Sequence, residues 1–202
     1  MTAAAATGAG SGRIGPNAVT RVAEVLLARV GEAATAAIFG RAGLLPYLAR
    51  PPEQMVDETE VTRLHHVLRD ALGTETAREV SRAAGTRTGD YLLAHRIPRA
   101  VQAVLKRLPA PLAARVLLSA IRRHAWTFAG SGEFTAQACQ PVVLTIRGNP
   151  MCKGATLAQP GCDFYAATFE RLFRVLVHAQ ARVVETDCEA CGDAACRFEV
   201  RW

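Results

Sequence analysis

The 202-residue chain is predicted to fold as an α+β domain, in which helices come first and a β-β-α-β-β unit with an antiparallel sheet follows. Apolar residues recur at helical spacing along most of the chain before Trp126. After the loop Gly130-Ser131-Gly132, short runs of strand-like composition replace that pattern. A strongly amphipathic segment separates two pairs of these runs. Hydrophobic residues make up 50% of the chain and charged residues 21%, which is typical of a globular protein.

The first part of the chain is predicted to be helical. Asn17 can cap a helix that continues to residue 42, and Gly31 interrupts its apolar pattern. Further helices, separated by glycine or proline residues, are predicted at 60–72, 74–95, 98–108 and 111–126. Gly85 and Gly89 lower the helix propensity of the segment at 74–95.

The last third of the chain is predicted to form the sheet and one long helix. Two strands are expected at 133–139 and 141–147, and a loop rich in glycine and proline follows at 148–161. An amphipathic helix then occupies 162–181. The last two strands, 182–187 and 197–202, flank a connection rich in cysteine and glycine. The whole pattern predicts a flexible tail at 1–16 and a single domain at 17–202.

The positive charge is concentrated in one segment. The chain has 24 Lys and Arg against 18 Asp and Glu, a net charge of +6. Residues 87–123 hold eight basic residues and a single acidic one, Asp90, so this segment carries +7 and the rest of the chain −1. Such a segment indicates an anionic partner: nucleic acid, membrane headgroups or a carboxylated small molecule. A solvated helix surface is the alternative interpretation.

Several classes of protein are not supported by the sequence. No apolar run reaches the length of a membrane-spanning helix, and the N-terminus lacks the pattern of a secretory signal. A cytoplasmic location is therefore expected, with the six cysteines reduced. The segment Gly10–Gly15 matches G-x-G-x-x-G, but an Ala/Thr-rich stretch precedes it and Pro16 follows it. A dinucleotide site needs a strand before that motif and a helix after it, so we reject this match.

The cysteines are the strongest indication of chemistry. Cys188, Cys191 and Cys196 lie in the hairpin between the last two strands, and Cys162 precedes the long helix. Thiolates in such a group suit Zn²⁺, which takes four ligands in a tetrahedron. Spacing alone favours an all-thiolate set, because Cys188-x-x-Cys191 is a common zinc half-site. A second set replaces Cys191 by Glu185.

The second set carries a structural condition. In a regular strand Glu185 and Cys188 point to opposite faces, so both can bind one metal only if a bulge or turn lies between them. The alternative to any metal site is a group of reduced cysteines packed as small hydrophobic residues.

An aromatic segment ends the basic helical region at His124-Ala125-Trp126-Thr127-Phe128. A histidine among aromatic rings can ligate the central metal of a planar ligand. The same pattern is also common where a helix end packs on a hydrophobic core. Phe164, Phe169 and Phe173 have the spacing of core residues in the long helix.

Two stretches in the last third of the chain resemble the 4-vinyl reductase domain family: Gly161–Tyr165 and Glu185–Glu199. They lie within 140–202, which covers the core motif of that domain. Upstream, three segments are similar to the members of this family that serve bacteriochlorophyll biosynthesis in purple phototrophic bacteria: Asn17–Val22, Thr88–Pro98 and Arg122–Gly132. The resemblance spans nearly everything after the tail.

The resemblance implies a fold and a metal site. The fold is the ligand-binding α+β fold shared with Golgi transport-particle subunits and with the sensor domains of phenol-responsive regulators, and such domains often form homodimers. In the regulators three cysteines and a glutamate hold a zinc ion. The matching positions here are Cys162, Glu185, Cys188 and Cys196, so the resemblance favours Glu185, while Cys191 keeps the four-cysteine option open. This zinc is structural and lies next to a ligand pocket.

The resemblance also implies a function in pigment synthesis. The family name denotes reduction of the 8-vinyl group (4-vinyl in the old numbering) of a divinyl chlorophyll precursor. Vinyl reduction needs a source of hydride or electrons, and the sequence shows no nicotinamide or flavin motif. We therefore favour binding of a magnesium tetrapyrrole, such as divinyl protochlorophyllide, divinyl chlorophyllide or a magnesium protoporphyrin ester. The protein would act as a carrier or an accessory to Mg-porphyrin enzymes.

This interpretation assigns specific ligand-binding residues. His124 is expected to contact the magnesium ion axially, Trp126 and Tyr91 to form pocket walls, and Arg123 to meet propionate carboxylates. A reductase with an external reductant and a ligand-sensing regulatory module are the two alternatives. The expected partners exclude nucleic acid and include at most peripheral contact with a membrane.

Overall fold

The computed structural model describes residues 12–202. In chain order its elements are β1 (Arg13–Ile14), α1 (Asn17–Arg41), α2 (Pro46–Ala49), β2 (Val56–Asp57), α3 (Glu58–Leu72), α4 (Thr74–His95), α5 (Arg99–Leu105), α6 (Ala110–Arg123), β3 (Glu133–Gln137), β4 (Val142–Arg147), α7 (Asp163–Leu176), β5 (Arg182–Asp187) and β6 (Cys196–Arg201). Single 3₁₀ turns occur at Ala125–Thr127 and Glu189–Cys191. The predicted α+β class, with helices first and a β-β-α-β-β unit after them, is confirmed.

The helical part follows the predicted pattern with two differences at helix ends. Helix α1 kinks at Gly31, whose φ of 78° lies in the left-handed region that favours glycine. The helix predicted at 111–126 ends at Arg123, and Trp126 lies in the 3₁₀ turn that follows. The helix predicted at 162–181 ends at Leu176. Helices α1, α3 and α4 pack on one another around a shared apolar core.

The predicted tail at 1–16 overlaps the folded part of the chain. Residues 1–11 lie outside the described residues, but Arg13 and Ile14 form a short antiparallel pair with Asp57 and Val56. Ile14 is only 1% exposed. A two-residue strand has no periodicity to read, so the sequence could not indicate that the fold begins before Asn17.

The sheet is antiparallel throughout and has the strand order β3-β4-β6-β5. Helix α7 packs between this sheet and α4, and its first seven residues, 163–169, are all buried. Gly85 and Gly89 of α4 permit the close approach, because a Cβ atom at Gly85 would lie 2.2 Å from the carbonyl oxygen of Phe164. Phe164, Phe169 and Phe173 are core residues, as predicted.

No helix among the described residues combines the length and the apolar character that crossing a membrane requires.

Candidate metal and ligand site

Four cysteines from separate parts of the chain meet in the core. Cys152 lies in the loop after β4, Cys162 directly precedes α7, Cys188 follows β5, and Cys196 begins β6. All four side chains are at most 2% exposed. Their sulfur atoms lie within 4.8 Å of one another, and we call this group the cysteine cluster.

The distances fit a tetrahedral metal site. The Sγ–Sγ distances are 3.5 Å for Cys152–Cys196, 3.6 Å for Cys162–Cys196, and 3.9 Å from Cys188 to both Cys162 and Cys196. A tetrahedron with Zn–S bonds of about 2.3 Å has sulfur atoms about 3.8 Å apart. The cluster therefore has the size and donor set of a four-thiolate zinc site.

A surrounding layer of hydrogen bonds holds the cluster in place. The Asn149 side-chain amide donates to Cys162 Sγ at 3.2 Å, and the Glu189 backbone N–H donates to Cys196 Sγ at 3.5 Å. The Glu189 carboxylate accepts hydrogen bonds from the backbone N–H groups of Gly148 and Asn149, at 2.6 and 2.8 Å. These contacts fix the loop that carries Cys152 against the β5–β6 connection, as partners outside the ligand set do in metal sites.

The thiols perturb one another's pKa values. The pKa of Cys188 is well below that of an ordinary thiol, because its sulfur accepts hydrogen bonds from Cys152, Cys162 and Cys196. The pKa of Cys162 is raised, chiefly by its hydrogen bond with Cys152. The cluster thus releases one proton readily and holds the others, which a bound divalent cation would displace.

Glu185 lies beside the cluster but outside the group of four ligands. The strand pairing between β5 and β6 shifts register between Glu185 and Asp187, so the irregularity that the three-cysteine-and-glutamate set requires is present. Glu185 Oε2 accepts a hydrogen bond from the backbone N–H of Cys162 at 2.7 Å. Its Oε1 is buried and has no hydrogen-bond partner among the described residues. Burial raises the pKa of this carboxyl to about 8.

The two predicted ligand sets differ from the observed cluster in the fourth member. Cys191 is exposed in the 3₁₀ turn, whereas Cys152 joins Cys162, Cys188 and Cys196. The sequence analysis missed Cys152, because it stands alone in a long loop without a neighbouring cysteine at zinc-site spacing. Its buried position between two loops is a tertiary property.

The predicted ligand-binding residues occupy two places. Arg123, His124 and Trp126 lie close together in sequence at the end of α6, where all three are exposed. His124 Nδ1 lies 2.8 Å from the carbonyl oxygen of Ala120, which leaves Nε2 facing outward from that contact. Tyr91, near the end of α4, is half-buried, with the His95 ring 4.8 Å away and the Arg21 guanidinium 4.9 Å from its ring centre.

An aromatic cluster adjoins the end of α6. It consists of rings whose neighbouring centroids lie 5.2–6.5 Å apart: Phe128, Phe134, Tyr165, Phe169 and Phe198. Phe128 belongs to the segment that carries His124 and Trp126, and the Tyr165 hydroxyl donates a hydrogen bond to its carbonyl oxygen at 2.7 Å. The segment after α6 therefore rests on aromatic rings from α7 and the sheet.

Two cavities open on the surface of the described fold. One, of about 200 Å³, is lined by Arg78, Arg82, Asp163 and Glu185 among others; the second, of about 270 Å³, lies between α6 and the C-terminal residue Trp202. Both are smaller than the roughly 300–1,000 Å³ typical of small-molecule pockets. None of Tyr91, Arg123, His124 and Trp126 lines either cavity.

Solved structures with this fold include H-NOX proteins. An Fe(II) unliganded H-NOX variant from K. algicida covers 92% of this chain and 95% of its own, with a TM-score of 0.60 and 10% identity. A second H-NOX structure, from a study of heme distortion in that family, covers 93% and 94%, with a TM-score of 0.58 and 11% identity. The phenol-responsive sensory domain of the activator PoxR also matches, over 73% of this chain and 77% of its own, with a TM-score of 0.41 and 15% identity.

Sequence comparisons identify the family. The family model of the 4-vinyl reductase domain matches residues 142–202. The bacteriochlorophyll synthase 23 kDa chain of Cereibacter sphaeroides is 46% identical over 190 residues, 93% of this chain and 90% of that protein. The protein of the same name from Rhodobacter capsulatus is 38% identical over 186 residues, 92% of this chain and 85% of that protein. The chain therefore belongs to the family of bacteriochlorophyll synthase 23 kDa chains, and its 4-vinyl reductase domain lies at residues 142–202.

Proposed function

We propose that this protein binds a magnesium tetrapyrrole intermediate of bacteriochlorophyll biosynthesis and acts as a carrier or accessory to the enzymes that process it. The observation that carries this proposal is the 46% identity, over nearly the whole chain, to a protein named as a chain of bacteriochlorophyll synthase. Similarity that extends through the helical part as well as the 4-vinyl reductase domain supports a shared role of the entire molecule.

The fold is compatible with a planar tetrapyrrole ligand. The H-NOX family, which shares the fold at a TM-score of 0.58, is described by its heme. A magnesium porphyrin or chlorin has the same flat macrocycle, a metal with an open axial position and anionic propionate groups. An apolar surface with a neutral imidazole and an arginine nearby supplies the matching contacts.

The end of α6 offers these groups. We assign His124 Nε2 as the axial ligand to magnesium, Trp126 as an aromatic wall and Arg123 as the partner of a propionate. Tyr91, at the end of α4, is assigned to a second wall. The aromatic cluster beneath Phe128 supports this placement, because rings next to the binding segment favour stacking with a macrocycle.

We further propose that the cysteine cluster holds a structural zinc ion. Four buried thiolates would fill the tetrahedron, so the metal would have no open position for substrate. Its contribution would be to tie the loop after β4, the start of α7 and the β5–β6 hairpin together. Glu185 in place of Cys152, with the other three cysteines, is the competing ligand set that the resemblance favours.

The proposed setting is the cytoplasmic side of pigment synthesis, with Mg-porphyrin enzymes as partners. The name "chain" in the curated relatives supports association with such enzymes. A homodimer and peripheral contact with the membrane complete the proposal.

The function is tested by titrating a divinyl chlorophyll precursor into the protein anaerobically, with and without NADPH, and recording absorbance before the pigments are extracted and separated. We expect a shifted pigment spectrum, saturation, and recovery of divinyl pigment alone in both samples. Monovinyl product that depends on NADPH and accumulates over many turnovers would show a reductase instead. An unshifted spectrum would refute binding.

The residue assignment has a matched control within the chain. His124→Ala should weaken pigment affinity about tenfold or more and remove the spectral shift that axial ligation causes. His178→Ala alters another exposed histidine, away from the end of α6, and should leave both unchanged. Equal affinity in the two variants, with both folded, would refute the role of His124.

A further inference from the structure

We infer that helices α5 and α6 form a docking surface for an anionic lipid bilayer. The surface, called here the α5–α6 surface, comprises the exposed side chains of Arg99–Leu105 and Ala110–Arg123 together with Lys106, Arg107 and Trp126. It deepens the peripheral membrane contact included in the proposed function by naming the surface and the lipid charge that it recognises.

The first supporting observation is charge of one sign. Residues 91–132 contain no Asp or Glu, yet they contain seven basic residues: Arg96, Arg99, Lys106, Arg107, Arg115, Arg122 and Arg123. No ion pair joins any of the seven to a carboxylate within the described residues. Elsewhere in the fold arginines do pair, for example Arg171 with Asp90 at 2.6 Å. The positive charge of the α5–α6 surface is thus uncompensated.

The second observation is exposed aliphatic surface on the same helices. Val101 and Val104 on α5 are 43% and 57% exposed, and Leu112 and Val116 on α6 are 45% and 48% exposed. The spacings of three and four residues place each pair on one face of its helix. Trp126, just after α6, is 63% exposed. These side chains stand among the arginines, in the arrangement that an interfacial helix uses to insert shallowly below the headgroups.

The opposite face of α6 anchors the surface to the body of the protein. Ala113, Ala114, Leu117, Leu118 and Ile121 are buried, and α6 contacts β3 and α7 as well as α5. The exposed aliphatic residues are therefore not waiting to complete the core of this chain. They are held outward on a fixed platform.

A bilayer fits these observations better than an acidic protein does. An anionic membrane repels every carboxylate along its plane, so it selects against acidic residues over a long run of sequence. A protein partner presents both signs of charge at its rim, and one carboxylate-free run of this length is not required there. Arginine stems and an exposed tryptophan also suit the boundary between headgroups and acyl chains.

The test is co-sedimentation of the full chain with vesicles of phosphatidylcholine, with and without phosphatidylglycerol, at low and high salt. We expect binding to the vesicles that contain phosphatidylglycerol and little binding to phosphatidylcholine alone. High salt should weaken binding, because the attraction of exposed charges is screened. Arg99→Gln with Arg115→Gln should reduce the partition coefficient at least tenfold, since each arginine near an anionic surface contributes about fivefold.

Two matched controls separate this surface from overall charge and hydrophobicity. Arg41→Gln with Arg50→Gln removes the same charge from exposed positions elsewhere and should retain clearly stronger binding than the α5–α6 double variant. Leu112→Ser should reduce binding, whereas Leu27→Ser, which alters a leucine of similar exposure on α1, should not. Equal losses in a variant and its control, or the absence of binding to anionic vesicles, would overturn the inference.

Capture by immobilised polyglutamate without binding to anionic vesicles would also overturn it and would indicate an acidic protein partner. Pigment titration of Leu112→Ser keeps the two proposals distinguishable. If vesicle binding fails while the pigment still shifts its spectrum, only the membrane inference is lost. If the pigment does not bind while anionic vesicles do, the proposed function fails and the docking surface stands.

Discussion

Cys152 shows how much a single residue can depend on the tertiary fold. It is 2% exposed, and its sulfur lies 3.5 Å from that of Cys196, although the two residues are far apart in the sequence. The exposed Cys191 has the sequence spacing of a metal ligand but does not reach the cluster. Spacing therefore identified three of the four thiols, and burial distinguishes the fourth.

Replacing Cys152 tests the ligand set directly. We expect Cys152→Ser to lose most bound zinc and to lower the free energy of unfolding by about 2–4 kcal/mol, because a buried thiolate ligand is removed. Cys191→Ser should retain one zinc per chain. Metal analysis and thermal unfolding check both.

Glu185→Gln supplies the opposite outcome. If Glu185 is the fourth ligand in place of Cys152, this variant rather than Cys152→Ser will lose the metal. Retention of zinc in Glu185→Gln together with its loss in Cys152→Ser supports the all-thiolate cluster.

His65 is a second buried group whose surroundings make stability depend on pH. Burial lowers its pKa from the ordinary value of 6.5 to about 3. The backbone of Ala18 accepts a hydrogen bond from the ring, while Nε2 has no hydrogen-bond partner among the described residues. The folded protein therefore keeps this imidazole neutral across a pH range in which the unfolded chain protonates it.

The sign of the resulting effect follows from proton linkage. Because the unfolded state binds the additional proton, the free energy of unfolding should fall as pH decreases below about 6.5 and continue to fall toward pH 3. From pH 7 to pH 5 the loss attributable to His65 should be about 2 kcal/mol. Urea unfolding of the parent and of His65→Leu at both pH values measures it. The same loss in both proteins would contradict the role of His65.

At the scale of elements, the contact between α4 and α7 organises the fold. Gly85 and Gly89 reduce the helix propensity of α4, yet they allow its backbone to reach α7: the Thr168 hydroxyl donates to the Gly85 carbonyl oxygen at 3.1 Å. At the start of α7 the buried Asp163 carboxylate pairs with Arg78 and Arg82 of α4, at 2.9 Å from Arg78 Nε. Glycines that weaken the isolated helix thus strengthen its packing.

Adding one methyl group to α4 should reveal this trade. Gly85→Ala should lower the free energy of unfolding by about 1–3 kcal/mol, because its Cβ would lie 2.2 Å from the Phe164 carbonyl oxygen and force the helices apart. Gly40→Ala in α1 meets no atom within 4 Å and should be neutral or stabilising by up to about 1 kcal/mol. Chemical denaturation of both variants gives the comparison; a stabilising Gly85→Ala would disprove the close-packing explanation.

At the scale of the whole molecule, the cysteine cluster connects segments that are otherwise joined by few regular elements. The loop at 148–161 has no helix or strand, and its position depends on contacts with the β5–β6 connection and the start of α7. A metal at the cluster would fix this loop, the sheet and α7 in one arrangement. The helical part, with its own apolar core, depends on the cluster less directly.

Removal of the metal should therefore loosen the molecule unevenly. Chelation is expected to lower Tm by more than about 10 °C and to increase amide hydrogen exchange first at 148–162 and 186–196. Amides in α1 and α3 should keep more of their protection. A uniform rise in exchange along the chain, or an unchanged Tm after the zinc is shown to be gone, would contradict this structural role.

Periodicity and composition were sufficient for the class of fold and for most elements. Helical spacing predicted α1, α3, α4 and α7, and alternation with turn residues predicted the four strands of the sheet in their correct order along the chain. Local pattern is informative there because each element buries one face or stripe. The short pair β1–β2 and helix α2 have no such pattern, and they exist because long-range packing holds them.

The cysteine-rich hairpin, the basic segment and the helical periodicity are local properties, so the amino-acid order alone established a thiolate-rich site, an anionic partner and an α+β fold. Which thiol completes the cluster, how Glu185 turns toward it, and which faces of α5 and α6 stay in solvent depend on residues distant in the chain meeting in space. Burial and contact are set by the folded core rather than by spacing, and for that reason the fourth cysteine became visible only in three dimensions.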